Sequence, residues 1–201
     1  MASIRNILGR PCWIFDLDGT LTLPVHDFAA IRNDLGIPVG SDIIHHLASL
    51  PAVEARAKRA RLTEIEYQLS ARTAASPGAG HLLSRLQGRG VRLGILTRNT
   101  REIALHTLER IGLADYFTPD CILGRDEAEP KPDPDGIAKL LSHWGRLAVD
   151  AVMVGDYLFD LQTGRAAGTA TIHVDSSRAF PWPDLADLRV GSLDELAFQL
   201  P

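Results

Sequence analysis

Cysteine is scarce in this sequence. Only Cys12 and Cys121 occur in 201 residues. They lie far apart, each beside apolar residues, a pattern that offers neither a disulfide framework nor a thiolate metal site; both are expected as buried thiols in a reduced cytosol. An excess of positive charge is lacking as well. With 21 Lys and Arg against 25 Asp and Glu the formal charge is -4, so no overall basic field attracts a polynucleotide and nucleic acid is not an expected partner. Apolar runs stay below the roughly 18 residues of a membrane span, and residues 1–11 lack the apolar core of a signal peptide. No membrane partner is expected, and the cytoplasm is the default location. Repeats, low-complexity tracts, a Walker phosphate loop and a GxSxG elbow are absent too.

What is present is the composition of an ordinary folded chain, 45% hydrophobic and 23% charged, long enough for one good core and a small accessory module. Short apolar runs at 12–15, 91–96, 121–123, 151–154 and 171–174 read as buried strands. Helical patterns at 78–87, 101–111, 135–143 and 158–167 fall between them, several closed by a following glycine. Strand and helix thus alternate, which predicts an α/β fold: a doubly wound, Rossmann-like parallel sheet with helices on both faces. Residues 24–76 break the rhythm with three helix-like stretches, the longest from about Pro51 to Arg72, and no convincing strand. The expected division is an α/β core of 1–23 and 77–201 with a small all-helical cap, 24–76, inserted after the first strand.

In an open α/β sheet ligands sit beyond the carboxyl ends of the strands, so the polar residues that follow each apolar run are the ones to collect. They are Asp16 and Asp18, Thr97, Lys131, and Asp156 with Asp160. Taken singly, a DxD pair is usually a cap or a turn, Thr97 a cap, and Lys131 a solvated charge. Asp160 is favoured by the helix dipole whether or not it meets a ligand. Their arrival together at successive strand ends favours function over four separate accidents. Carboxylates gathered around one lysine repel unless a metal or proton intervenes, and the oxygen-rich set suits magnesium. Gly19 lets the chain turn sharply after the first strand and come close to a phosphate, and Pro130 and Pro132 stiffen the loop of Lys131. The bland reading wins elsewhere: Arg56, Lys58, Arg59 and Arg61 form a wet helix surface, His45 and His46 are ordinary polar residues, and Gly78 to Gly80 is only a fragment of a dinucleotide fingerprint.

The segments IFDLDGTLT, LTRN, KPDP and VGDYLFD, in that order, resemble the four motifs of the haloacid dehalogenase superfamily, and nearly the whole chain is covered. The resemblance implies that Asp16 is a nucleophile forming an aspartyl-phosphate and that Asp18 is its general acid and base. It implies Mg2+ held by Asp16, Asp156 and the backbone carbonyl of Asp18. Thr97 and Lys131 would hold the phosphoryl group, Leu17 and Arg98 would add substrate contacts, and Asp160 would orient Lys131 or a metal-bound water. The insert resembles the cap of phosphoglycolate phosphatase-like members, but it is short, and Thr22, Leu23 and Pro24 stand where many relatives have Asp and Ser, which argues against phosphoglycolate itself. The expected activity is hydrolysis of a small phosphorylated metabolite by a monomer or weak homodimer. A sugar phosphomutase of the same superfamily and, from another class, a phospho-aspartate regulatory module are the alternatives.

Overall fold

A computed structural model describes residues 4–201. Six strands, β1 (Cys12–Phe15), β2 (Arg92–Leu96), β3 (Ile122–Leu123), β4 (Ala151–Gly155), β5 (Ala170–Val174) and β6 (Leu188–Val190), form one sheet in the order β3-β2-β1-β4-β5-β6. All neighbours are parallel. The central strands are apolar without alternation because both faces are covered, and Trp13, Ile14 and Phe15 have no exposed surface. Period-2 geometry divides their side chains between two cores. Trp13 and Phe15 pack with Leu82, Leu83 and Leu86 of α5 (Ala79–Gly88), Leu108 of α6 (Arg101–Arg110) and Leu196 of α9 (Leu193–Gln199). Cys12 and Ile14 pack on the other face with Ile137, Leu140 and Trp144 of α7 (Asp135–Trp144). Gly145 and Gly168, both in the left-handed conformation, close α7 and α8 (Leu158–Ala167). The doubly wound sheet is thus as the alternation predicted.

The sequence pattern missed α1 (Ile4–Leu8), β6 and α9. In β6 the three-residue strand exposes its central Arg189, leaving too short an apolar run to register as a strand.

Residues 28–70 hold three helices, α2 (Phe28–Asp34), α3 (Ile43–Ser49) and α4 (Ala52–Ser70). Asp27 caps α2 by accepting from the amides of Ala29 and Ala30, and Asp42 caps α3 by accepting from that of His45. Ile31, Leu35, Ile37, Ile43, Leu47 and Leu62 form an apolar cluster of their own, separate from the two sheet cores. The chain leaves and re-enters side by side: Leu23 N–H donates to Ala74 O at 2.9 Å and Ser76 N–H to Leu21 O at 2.9 Å. Pro51 stands at the cap position of α4, one residue before the first turn. Among the described residues no helix is long and apolar enough to cross a membrane.

Candidate active site

The strand order reverses direction between β1 and β4, and the crevice beyond their carboxyl ends is where such a sheet binds ligands. Asp16 N–H donates to Val154 O at 2.9 Å, extending the ladder by one residue, so Asp16 emerges beside the Gly155–Asp156 turn. Thr97 leaves β2 in the same way, its N–H donating to Leu123 O at 3.0 Å. Lys131 reaches in from the loop after β3 and donates to Asp16 Oδ1 at 2.5 Å and Asp160 Oδ1 at 2.6 Å. Asp16, Thr97, Lys131 and Asp160 are all buried. Asp160 serves two ends at once, since its Oδ2 also accepts from Tyr157 N–H at 3.0 Å in the first turn of α8. A helix-dipole preference and orientation of Lys131 were the two readings of this residue, and it stands both in the first turn of α8 and against Lys131.

Carboxylate oxygens of Asp16, Asp156 and Asp160 lie within 4.8 Å of one another. Gly19 permits this crowding. Its φ of +90° gives the sharp turn expected after β1, and a Cβ there would stand 2.5 Å from Asp156 Oδ2, so the missing side chain also leaves room for the Asp156 carboxylate. Burial pushes Asp16 up to about 7; Lys131 opposes this, and the Asp160 and Asp18 carboxylates reinforce it. Asp18 is likewise pushed up to about 7, by burial against the pull of Lys131, with Glu66 and Asp156 adding to the rise. Asp156 rises to about 8, through burial and then through Asp16 and Asp160. Burial works against the Lys131 charge, but Asp16 and Asp160 outweigh it and hold its pKa above the ordinary value. One lysine therefore leaves this group of acids under-neutralised. An all-oxygen donor set with surplus negative charge fits a hard divalent cation such as Mg2+.

Several neighbours had no separate signal in the sequence. Asn99 Nδ2 donates to Asp18 Oδ2 at 2.7 Å, and its backbone N–H donates to Thr97 Oγ1 at 3.1 Å. Thr20 Oγ1 donates to Asp156 Oδ1 at 3.0 Å. Both residues fall inside the quoted motifs, yet nothing local distinguishes them from turn formers. His26 Nδ1 lies 3.9 Å from Asp18 Oδ1, and burial lowers its pKa. His173 sits behind the site with Nε2 3.1 Å from Asp156 O.

A cavity of about 380 Å³ lies over these groups, between the core and helices α2 to α4. Asp16, Asp18, Thr97, Arg98, Lys131, Asp156 and Asp160 all line it. Leu17 does not: its side chain is fully buried in the sheet core, so only its backbone could meet a ligand. Two ion pairs join the helices to the core beside the cavity. Arg98 Nη2 donates to both Asp42 oxygens at 2.6 and 2.7 Å, and Arg125 donates to both Glu66 oxygens at 2.6 and 2.9 Å. Arg56, Lys58, Arg59 and Arg61 lie away from the cavity. Arg61 pairs with Asp34 at the surface, whereas the Lys58 side chain is mostly buried and donates to Leu35 O.

The family model described as haloacid dehalogenase-like hydrolase matches residues 29–174. A haloacid dehalogenase-like hydrolase domain-containing protein of Arabidopsis thaliana is 30% identical, over 91% of this chain and 80% of that protein. A phosphoglycolate phosphatase of Rhodospirillum rubrum is 34% identical, over 79% of this chain and 77% of its own. Among solved structures, a hydrolase from Pseudomonas syringae superposes with a TM-score of 0.78 at 23% identity, covering 95% of this chain and 98% of the other. Asp16 and Asp18 after the first strand, Thr97 after the second, Lys131 on its loop and Asp156 after the fourth thus converge within a chain that belongs to the haloacid dehalogenase-like hydrolases.

Proposed function

We propose that this hydrolase is a Mg2+-dependent phosphatase that cleaves a small organic phosphomonoester through an aspartyl-phosphate on Asp16. The observation that carries the reading is the buried Asp16 carboxylate, tied to Lys131 at 2.5 Å and opening onto a cavity it shares with Asp18. In the first step an Asp16 oxygen attacks phosphorus, the ester P–O bond breaks, and protonated Asp18 gives its proton to the leaving alkoxide. In the second, the Asp18 carboxylate takes a proton from a water that attacks the phosphoaspartate, which frees inorganic phosphate and restores Asp16. Asn99 fixes the direction of the Asp18 carboxyl through its hydrogen bond to Oδ2. Lys131, oriented by Asp160, supplies fixed positive charge where the transition state needs it. Mg2+, when bound, would be held by the carboxylates of Asp16 and Asp156 and the backbone carbonyl of Asp18, and would offset repulsion between nucleophile and phosphate.

The small volume of the cavity, and the ion pairs that hold the inserted helices to the core beside it, favour a small metabolite over a polynucleotide or a protein chain. An acid and base role for Asp18, which lines the cavity beside Asp16, favours turnover over a stored phosphoryl switch. The Asp16→Asn protein tests the reading: it should fold as the parent does and lose para-nitrophenyl phosphate hydrolysis in Mg2+ by at least about a thousandfold. Near-parental turnover would remove the covalent step.

A further inference from the structure

His173 stands near the end of β5 and is 1% exposed, between Ile172 and Val174 of the sheet core. Its Nε2 lies 3.1 Å from Asp156 O. A carbonyl oxygen only accepts, so Nε2 carries the proton and donates. The other ring nitrogen, Nδ1, is buried with no hydrogen-bond partner among the described residues. An unpaired buried polar atom is a cost that an apolar side chain of similar size would avoid, so packing alone does not account for a histidine here; the bond to Asp156 does. The β4–β5 ladder ends at the pair Gly155 and His173, one residue short of Asp156, and the imidazole supplies a donor beyond its end. At the other side of the same peptide unit, Tyr157 N–H donates to Asp160 Oδ2 at 3.0 Å. The peptide plane that follows the Asp156 carboxylate is thus pinned from both sides, by His173 and by Asp160, and Asp160 Oδ1 in turn accepts from Lys131 at 2.6 Å.

We propose that His173 is a positioning residue for the metal site: by holding the Asp156 carbonyl it fixes the turn from which the Asp156 carboxylate would reach Mg2+. The inference rests on the phosphatase reading and adds to it a residue outside the cavity lining. The loop after β5 serves the same end. Phe180 meets the imidazole edge to face and Trp182 lies tilted against it, both with ring centroids 5.5 Å away, while Tyr157 packs on Trp182 at 5.2 Å. That arrangement takes Arg178 and Phe180 to φ of +59° and +43°, a conformation such side chains rarely adopt. Asp175 holds it, its oxygens accepting from Ser177 N–H at 2.9 Å and Phe180 N–H at 2.8 Å. Strain of this kind persists where the surroundings impose it; here it closes two rings on His173 and keeps the imidazole from turning away from Asp156.

The test measures the Mg2+ concentration that gives half of the metal-induced rise in Tm, together with kcat and KM for para-nitrophenyl phosphate at saturating Mg2+. His173→Phe keeps a ring between Phe180 and Trp182 and removes the donor. It should need about tenfold more Mg2+, the lower end of what loss of a group behind a metal ligand causes, with KM for the ester little changed. His173→Gln, whose amide nitrogen stands where Nε2 stood, should recover most of the parental value, and His173→Asn, too short to reach Asp156 O, should not. The glutamine and asparagine variants decide the matter even if the phenylalanine variant fails to fold. An unchanged Mg2+ requirement in His173→Phe with only a lower metal-free Tm, or equal requirements in the glutamine and asparagine variants, overturns the positioning role. If the parent shows metal-induced stabilisation and turnover while the variants match it, His173 alone is set aside; if the parent shows neither, the phosphatase reading falls and takes the positioning role with it.

Discussion

At the residue scale, position within the crevice separates the roles of two carboxylates that are two residues apart. Asp16 continues the β1 ladder and is held by Lys131, whereas Asp18 lies past the turn and is held by the neutral amide of Asn99. Both carboxyls lie at about 7 in this fold, so their roles are separated by position: Asp16 is in direct contact with the Lys131 charge, and the amide that holds Asp18 accommodates either protonation state. Asp18→Asn should therefore lower kcat/KM for an alkyl phosphate by about a hundredfold to ten-thousandfold. It should affect para-nitrophenyl phosphate much less, since nitrophenolate departs without a proton; steady-state rates on the two esters check this, and equal losses would deny Asp18 its acid role. Asp16, Asp18, Thr97, Lys131, Asp156 and Asp160 were legible in the sequence because each follows an apolar run, and the crevice rule turns that local feature into shared location. Arg32, Asp42 and Glu66 were not. They reach the cavity only after α2, α3 and α4 pack on one another, and in the sequence each is one more charge on a polar helix.

At the element scale, the inserted helices have a core of their own and meet the sheet through a few polar contacts. Glu66 of α4 and Arg125 are both mostly buried, and Tyr67 of the same helix donates to Glu102 of α6 at 2.7 Å. Burial raises the Glu66 pKa even against the pull of Arg125, a sign of how far this pair is withdrawn from water. Removing one partner of such a pair costs more than removing both, because the survivor is left buried and charged. Glu66→Ala should destabilise the protein by about 3–5 kcal/mol, and Glu66→Ala/Arg125→Ala by clearly less than the sum of the two single changes. Urea unfolding of the three variants measures the coupling, and simple additivity would mean that water reaches the pair. Strands β1 to β5 and helices α5 to α8 were legible as apolar runs alternating with helical patterns, whereas the short α1, β6 and α9 were not. The path of the insert beside the cavity was not legible either, since pairings such as Asp42 with Arg98 join residues 56 apart, and no local pattern records them.

At the scale of the whole molecule, the acidic cluster sets how stability responds to pH and metal. In the metal-free fold Asp16 and Asp18 lie at about 7 and Asp156 at about 8, all above the ordinary 3.8. Between about pH 4 and pH 8 the folded protein therefore holds more protons than the unfolded chain, and linkage makes its stability fall as pH rises through that window. Below it both states are protonated; above it the repulsion among bare carboxylates is felt in full. A divalent cation acts in the opposite sense, binding the deprotonated carboxylates and competing with protons for them. Mg2+ at a hundred times its dissociation constant should stabilise the fold by about 2.7 kcal/mol, which for a chain of this size is a rise in Tm of roughly 5–10 °C. That rise should be largest near pH 8 and shrink towards pH 5, where protons occupy the same oxygens. Thermal unfolding with Mg2+ and with EDTA across this range reads both effects. In Asp156→Asn the metal-induced rise should be largely lost, whereas a rise that persists in that variant or grows in acid would place the cation away from these carboxylates.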